Sequence, residues 1–293
     1  MNISGFTFIK NGLSLGYPFK ESIESVDPFC DEVIINVGFD DPSCQKDDGT
    51  YDYLREHFKG KRYVFLKNYW DPALSEGGKV LAQQTNIALS KCRGKYCQYI
   101  QGDEVLHAND YEKILSGVKA MEKDKRIQGL VYDYLHFYCN TDIVKRNRNA
   151  YRREVRLVRN GIGAYSHLDA QGFKAAGGSK LLCKLVGATV YHYGWARIFD
   201  VMEKKVESFS KLYHGKDFVD EDKFKYYRVW GLKKFEGDHP ANMSDWIEKN
   251  KNDIDVLSLK SKFQLRFLSR WLSDLIENTT GHRVFEYRNY KLL

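Results

Sequence analysis

Tyr99-Ile100-Gln101-Gly102-Asp103-Glu104 sets a short apolar strand directly against two consecutive carboxylates. Carboxylates at the carboxyl end of a strand face the crevice in which open α/β sheets hold their ligands. A pair of them invites a hard divalent cation, and Mg²⁺ or Mn²⁺ shares its coordination shell with substrate phosphates more readily than it fills an all-protein cage. The stretch therefore points to a nucleotide-linked substrate. Its plainer reading is a loop whose acidic residues favour the positive end of the helix that follows, so the flanking sequence has to decide.

Upstream, Gly5-Phe6-Thr7-Phe8-Ile9, Val33-Ile34-Ile35-Asn36-Val37 and Tyr63-Val64-Phe65-Leu66 read as buried strands. Between them, Phe19, Ile23 and Val26 mark one helix face after Pro18, and Leu81, Ala88, Leu89 and Cys92 mark another over about residues 78–92. Strand and helix alternate, the pattern of a parallel sheet covered on both faces. Downstream, Asn109 with Glu112 reads as a capping box opening a helix that buries Ile114, Leu115, Val118 and Met121. Gly129-Leu130-Val131-Tyr132, Val155-Arg156-Leu157-Val158 and Ala188-Thr189-Val190-Tyr191 read as further strands. Alternation in the second of these assigns Arg156 to a solvated face. Beyond Asp200 the texture changes to amphipathic helices: one carries Met202, Val206, Phe209 and Tyr213. The other carries Phe263, Phe267, Leu268, Trp271, Leu272 and Leu275, with Lys262, Arg266 and Arg270 opposite, before a short strand near Val284 to Tyr287. The expected organisation is an α/β nucleotide-binding domain over residues 1–200 and a helical C-terminal extension over residues 201–293 ending in that strand, without linker or repeat between them.

The chain has 293 residues, 43% of them apolar, enough for a sizeable core. Its 46 Lys and Arg against 39 Asp and Glu leave a formal charge of +7, which allows an anionic partner without requiring one. Six cysteines show no C-x-x-C pair and read as reduced thiols. No apolar run is long enough to span a membrane and the amino terminus lacks a signal-peptide pattern, so the expectation is a soluble, cytoplasmic protein. No G-x-G-x-x-G follows the first strand and no G-x-x-x-x-G-K-[ST] occurs, which sets aside dehydrogenase and P-loop readings.

His192, in Val190-Tyr191-His192-Tyr193-Gly194-Trp195, stands at the end of another strand, where a neutral imidazole can join Asp103 around a metal; a packed core histidine is the bland alternative. Thr7, Asn11, Asn36, Trp70, Asp71 and Asn86 are candidates for holding a nucleoside against the ends of the first three strands, Trp70 by stacking or simply by closing the core. Lys145, Arg146, Arg148, Arg152, Arg153, Arg156 and Arg159 form a basic cluster. Tyr132-Asp133-Tyr134-Leu135-His136-Phe137-Tyr138 forms a polar and aromatic patch suited to a sugar ring or to ordinary strand packing.

Over roughly residues 4–200 the chain resembles a glycosyltransferase family 2 protein of the GT-A fold. The resemblance is carried by Thr7-Phe8-Ile9-Lys10-Asn11, by Asp31-Glu32-Val33-Ile34-Ile35-Asn36-Val37-Gly38 with Asp48-Gly49-Thr50, by Thr85-Asn86-Ile87-Ala88-Leu89-Ser90, and by Gln101-Gly102-Asp103-Glu104-Val105-Leu106. The last occupies the place of the family's D-x-D element, with Gln101 where the first aspartate stands. An amide supplies no charge, so Asp103 becomes the essential metal ligand, and His192 in His-Tyr-Gly-Trp resembles a late histidine that some members use as a second ligand. The resemblance implies a Rossmann-like GT-A sheet, mixed and mostly parallel, flanked by helices. It also implies transfer of a sugar from a nucleoside diphosphate donor to a glycan or other hydroxyl acceptor, assisted by Mn²⁺ or Mg²⁺ and proceeding with inversion. Inversion needs a base for the acceptor hydroxyl, and Asp169 in Ser166-His167-Leu168-Asp169-Ala170-Gln171-Gly172 lies where the family places that acid. Glu104 is the second catalytic candidate, and Glu154 and Asp133 are rivals.

Two other functions compete. A nucleotidyltransferase would share the sheet and acidic site but release pyrophosphate. A nucleic-acid-binding module would use the basic cluster, yet the tyrosines do not interleave with it in an RNA-binding motif, and no nucleic-acid partner is expected. Packing on the catalytic domain is the expected role of the C-terminal helices, ahead of dimer formation or contact with an anionic membrane through Lys262, Arg266 and Arg270.

Overall fold

The computed structural model describes residues 2–74, 77–214, 218, 224–261, 267–281, 283 and 286–293. In chain order the elements are β1 (Ile3–Ile9), α1 (Phe19–Val26), β2 (Glu32–Phe39), α2 (Thr50–His57), β3 (Tyr63–Tyr69), α3 (Lys79–Leu89), β4 (Tyr96–Tyr99), β5 (Glu104–Leu106), α4 (Tyr111–Lys123) and β6 (Gly129–Tyr138). They continue with β7 (Asn140–Lys145), β8 (Arg153–Arg159), β9 (Tyr165–Ser166), β10 (Phe173–Lys174), β11 (Leu181–Trp195), α5 (Phe199–His214), β12 (Leu232–Lys234), α6 (Ser244–Lys249), α7 (Leu268–Thr280) and β13 (Tyr290–Leu292).

β2 is buried along its whole length, which is why Val33-Ile34-Ile35 reads as a continuous apolar run rather than an alternating one. It pairs in parallel with β1 and β3, and β1 pairs in parallel with β4. The sheet has 11 strands in the order β12-β7-β6-β8-β4-β1-β2-β3, with β11 alongside β6 and carrying β5 and β13. This is the α/β class, with the mixed sheet and flanking helices that the sequence implies. The direction of travel reverses between β1 and β4, a topological switch point of the kind at which α/β sheets open a crevice.

Several local expectations are corrected. No capping box forms at Asn109: residues Ala108–Asp110 make a 3-10 turn capped by the His107 imidazole, and Asp110, without a side-chain cap bond, precedes α4. Arg156 is not solvated; β8 lies between β4 and β6, both of its faces are covered, and the guanidinium is fully buried. The late strand is Tyr290–Leu292, paired in parallel with β11; Val284 lies outside the described residues, as do Lys262, Phe263 and Arg266. In α7, Leu268, Trp271, Leu272 and Leu275 are exposed and the buried residue is Asp274, which accepts from the Trp230 indole, so this apolar stripe does not pack on the sheet. All six cysteines are free, and no helix among the described residues is long and apolar enough to cross a membrane.

Candidate active site

A cavity of about 540 Å³ opens at the carboxyl ends of β1 and β4. Lys10 and Asn11 reach it from the end of β1, and Gln101, Gly102 and Asp103 from the turn after β4. His192 and Trp195 enter from β11, and Met202, Lys205, Phe209 and Tyr213 from α5. Asp169 closes one side, and Trp70 and Tyr17 are walls. Trp70 is held against Gly38, where any Cβ would collide with its indole; it also packs on Phe8, and the Lys10 ammonium lies 5.4 Å from its ring centroid. It is at once part of the core and part of the cavity wall.

Asp103 is the electrostatic centre. The Lys205 ammonium lies 3.1 Å from Asp103 Oδ2, and Arg197 Nη2 lies 4.0 Å from the same oxygen. Lys205 also donates to the Gly194 carbonyl at 2.6 Å, and Arg197 to the Gly194 and Gly16 carbonyls. Both cations rest near the half-buried Tyr17 ring, whose centroid is 4.3 Å from the Arg197 guanidinium carbon and 5.1 Å from Lys205 Nζ. Burial opposes charge on Asp103, but the Lys205 ammonium, with Arg197 beyond it, outweighs burial and holds the carboxyl below its usual range. Burial and then Arg197 pull Lys205 down to about 7 despite Asp103.

His192 Nε2 stands 3.7 Å from Asp103 Oδ2, beyond hydrogen-bond range. Its other nitrogen, Nδ1, is 3.0 Å from His136 Nδ1, and His136 Nε2 is 2.6 Å from the Tyr151 carbonyl oxygen. A carbonyl only accepts, so His136 Nε2 carries a proton. Burial lowers the pKa of both imidazoles, His136 furthest, and keeps them neutral. His136 Nδ1 is then bare, His192 Nδ1 donates to it, and His192 Nε2 presents a lone pair toward Asp103. A carboxylate oxygen and a bare imidazole nitrogen thus face one space with no proton between them. A Cβ on Gly194 would fill that space, lying 2.6 Å from His192 Nε2 and 2.9 Å from Asp103 Oδ2. This donor set fits Mn²⁺ or Mg²⁺, with the remaining ligands coming from diphosphate and water, since no third His, Cys, Asp or Glu joins the pair among the described residues.

Glu104 is placed differently. Asp103 stands in the turn before β5 and faces the cavity, whereas Glu104, the first residue of β5, is fully buried behind it. Its carboxylate accepts from Arg156 Nε at 2.9 Å and Nη2 at 2.7 Å, from Tyr134 Oη at 2.8 Å and from the Gln101 main-chain N–H at 3.2 Å. With every acceptor position engaged and no face on the cavity, it holds the turn rather than a substrate.

Of the nucleoside candidates, Asn11 and Trp70 line the cavity, Asn11 in a left-handed conformation with φ 55° that asparagine tolerates. Gln101 lines it as well, its amide donating to Tyr99 Oη and the Ala170 carbonyl and so tying β4 to the Asp169 loop. Thr7, Asn36, Asp71 and Asn86 are not among the lining residues. Thr7 is fully buried, Asn36 bonds Gln84 and Asn68, and Asp71 caps the turn at Pro72–Leu74. Asn86 clamps Ser166 through both its amide groups, so it acts one step removed, by fixing β9 against α3.

Asp169 sits between two non-glycine residues in the left-handed region, Leu168 at φ 54° and Ala170 at φ 61°. Such backbone is retained where surrounding contacts over-determine it. Tyr213 Oη donates to Asp169 Oδ2 at 3.4 Å, and Gly78 packs so closely that a Cβ there would lie 2.9 Å from the Asp169 Cα. Of its rivals, Glu154 stands behind the cavity, bonded to the lining residue Gln171, and burial raises its pKa to about 7. Asp133 is engaged by Arg153 at 2.6 Å.

No family model matches the sequence, and no curated protein matches it. Among solved structures, the chain is similar to residues 1–349 of S. aureus TarS, with 10% identity over 72% of this chain and 65% of that one and a TM-score of 0.37. TarS 1–349 in complex with UDP aligns at 14% identity over 48% of this chain and 37% of that one, with a TM-score of 0.34. The complex with UDP-GlcNAc aligns at 15% over 48% and 36%, also with a TM-score of 0.34. The chain thus spans about a third of the length of the two ligand-bound structures and just under two thirds of the other.

Sequence reasoning missed Lys205, Arg197, Tyr17 and His136. One signal was present: Lys205 lies three residues after Met202 and four before Phe209, on the apolar face of the helix, where an unpaired lysine is out of place. His136 was hidden inside an aromatic run.

Proposed function

We propose that this chain is a glycosyltransferase that moves a sugar from a nucleoside diphosphate donor to an acceptor hydroxyl with inversion. The observation that supports it best is the convergence, at the switch-point cavity, of the Asp103 carboxylate, the bare His192 Nε2 and the Lys205 ammonium, with Asp169 across from them. Asp103 and His192 are the residues that would hold Mn²⁺ or Mg²⁺, and bound there the ion supplies Lewis-acid charge to a departing diphosphate. Lys205 adds positive charge of its own beside the same position, backed by Arg197. Asp169 is the candidate base for the acceptor hydroxyl, its carboxylate oriented by Tyr213 and its backbone gripped by Gly78. Trp70, Tyr17 and Phe209 give the cavity apolar walls that exclude water from a bound sugar nucleotide.

A thermal-shift screen of UDP, GDP, CDP and ADP, each with and without Mn²⁺, tests the donor half, because a ligand that binds only the native form raises apparent stability. Stabilisation by one nucleoside diphosphate, followed by its release from the matching sugar nucleotide, is the expected result. Release of pyrophosphate would mark a nucleotidyltransferase, and no stabilisation by any nucleotide under either condition would reject the proposal.

A further inference from the structure

We propose that His136 is a positioning residue for a divalent cation: by accepting the His192 Nδ1 proton it fixes that imidazole with Nε2 bare and directed at Asp103. The inference deepens the transferase reading and rests on it for the purpose of the cation, though not for its binding.

The register of the sheet places the two histidines side by side, since β6 and β11 run parallel with His136 opposite His192. Their Nδ1 atoms are 3.0 Å apart, close enough that one must carry a proton and the other must not. Which one is decided at the far end of the chain of bonds, where His136 Nε2 meets the Tyr151 carbonyl at 2.6 Å and has to donate. Were His192 protonated on Nε2 instead, two lone pairs would confront each other at 3.0 Å, and the proton on Nε2 would find Asp103 Oδ2 at 3.7 Å, too far to accept it. A doubly protonated His136 would be a buried cation with no carboxylate within bonding distance among the described residues. The ring cannot easily turn to another arrangement. It stacks on Tyr134 at 5.4 Å and meets Tyr151 edge-on at 4.6 Å, and it is only 7% exposed. A metal-ligating histidine commonly donates its second ring nitrogen to a carboxylate or carbonyl; here an imidazole takes that part and passes the demand on to a main-chain carbonyl.

The test uses the intact chain and Mn²⁺ as the probe, followed by calorimetry. His136→Phe keeps the ring packing and removes the acceptor, and Mn²⁺ affinity is expected to fall about 10- to 100-fold. His136→Asn places an amide oxygen near the former Nδ1 and is expected to restore affinity to within a few-fold of the original. Long-range ¹H–¹⁵N spectra of the imidazoles give a readout that packing alone would not move: His192 should be protonated on Nδ1 in the original chain and lose that preference in His136→Phe. The inference is overturned if His192 carries its proton on Nε2, if a folded His136→Phe binds Mn²⁺ as tightly as the original, or if the original binds none. Should His136→Phe not fold, the spectrum of the original chain and the Asn variant still decide. Mn²⁺ binding through His192 in a chain that binds no nucleoside diphosphate would support this inference while defeating the transferase reading.

Discussion

Replacing Arg156 by methionine should cost far more stability than a surface arginine could, because of where the structure puts it. Arg156 and Glu104 are both fully buried and joined by bonds of 2.7 and 2.9 Å. Without the guanidinium, the Glu104 carboxylate keeps only the Tyr134 hydroxyl and the Gln101 amide, and the Val155 and Gln171 carbonyls lose the donor that served them at 3.1 and 2.8 Å. Stranding one member of a buried ion pair costs roughly 3–5 kcal/mol. With a urea m-value of about 3 kcal/mol/M, appropriate to a chain of this size, the midpoint should fall by about 1 M or more. The assay is urea unfolding followed by tryptophan fluorescence and circular dichroism, with coincidence of the two curves as the check on two-state behaviour. Adding Glu104→Gln to Arg156→Met removes the stranded charge and should recover roughly 2 kcal/mol, since a buried pair is worth much less than the penalty of breaking it. An Arg156→Met midpoint within 0.2 M, about 0.6 kcal/mol, of the original would refute the reasoning. So would a double variant less stable than the single. Because Glu104 also holds the Gln101 amide, the single variant should loosen the turn that presents Asp103.

Three further outcomes follow from the same geometry. Asp169→Asn should reduce turnover of the sugar nucleotide by about 10²- to 10⁴-fold while calorimetry shows donor affinity little changed; turnover within about threefold of the original would remove Asp169 as the base. Glu154, raised to about 7 mainly by burial from an ordinary value of 4.5, holds a proton in the folded chain that the unfolded chain has lost between those pH values. Stability should therefore fall as pH rises from about 4.5 to 7, by up to roughly 3 kcal/mol, and Glu154→Gln should abolish that slope; parallel pH profiles for the two chains would contradict it. Gly194→Ala should destabilise the fold by about 1–3 kcal/mol through overpacking and weaken Mn²⁺ binding at least about tenfold, because its Cβ falls between Asp103 and His192; unchanged Mn²⁺ affinity would show that the space is not the cation's.

Asp103 was legible as a residue of the crevice because a carboxylate at the end of a strand in an alternating α/β pattern faces the opening of the sheet. Glu104 was misread beside it, because its partner Arg156 lies far away in sequence and draws the carboxylate away from the cavity. Arg156 was misread for the complementary reason. Alternation signals exposure only when one face of the sheet is solvated, and β8 is covered on both, so a charged residue in it had to find a buried partner far away in sequence. The His136–His192 relay depends on the cross-strand register of β6 and β11, which no local pattern encodes. Lys205 depends on α5 folding back over the sheet, a tertiary event, yet its position in an apolar stripe announced that something acidic would meet it. Trp271 and its apolar neighbours pointed to a packed helix, but periodicity fixes only which residues share a face, not what covers it.

The amide at Gln101 acquires a physical meaning from the charges around it. Asp103 faces two cations, Lys205 and Arg197, and Arg197 Nη2 is buried with no hydrogen-bond partner among the described residues. Buried positive charge is costly: burial lowers the pKa of both cations, and Arg197 lowers that of Lys205 further. A second carboxylate at position 101 would have reduced that cost in the empty cavity, at the expense of repelling any anion that entered. With an amide there instead, the side chain at position 101 is held by neutral bonds to Tyr99 and Ala170 and leaves the charge of the two cations uncompensated. In the proposed transferase, a diphosphate would bring negative charge to the position where Asp103, His192 and Lys205 meet. On the proposed function, Gln101 would move the balance from binding a cation tightly in advance toward binding it together with the diphosphate that completes its shell.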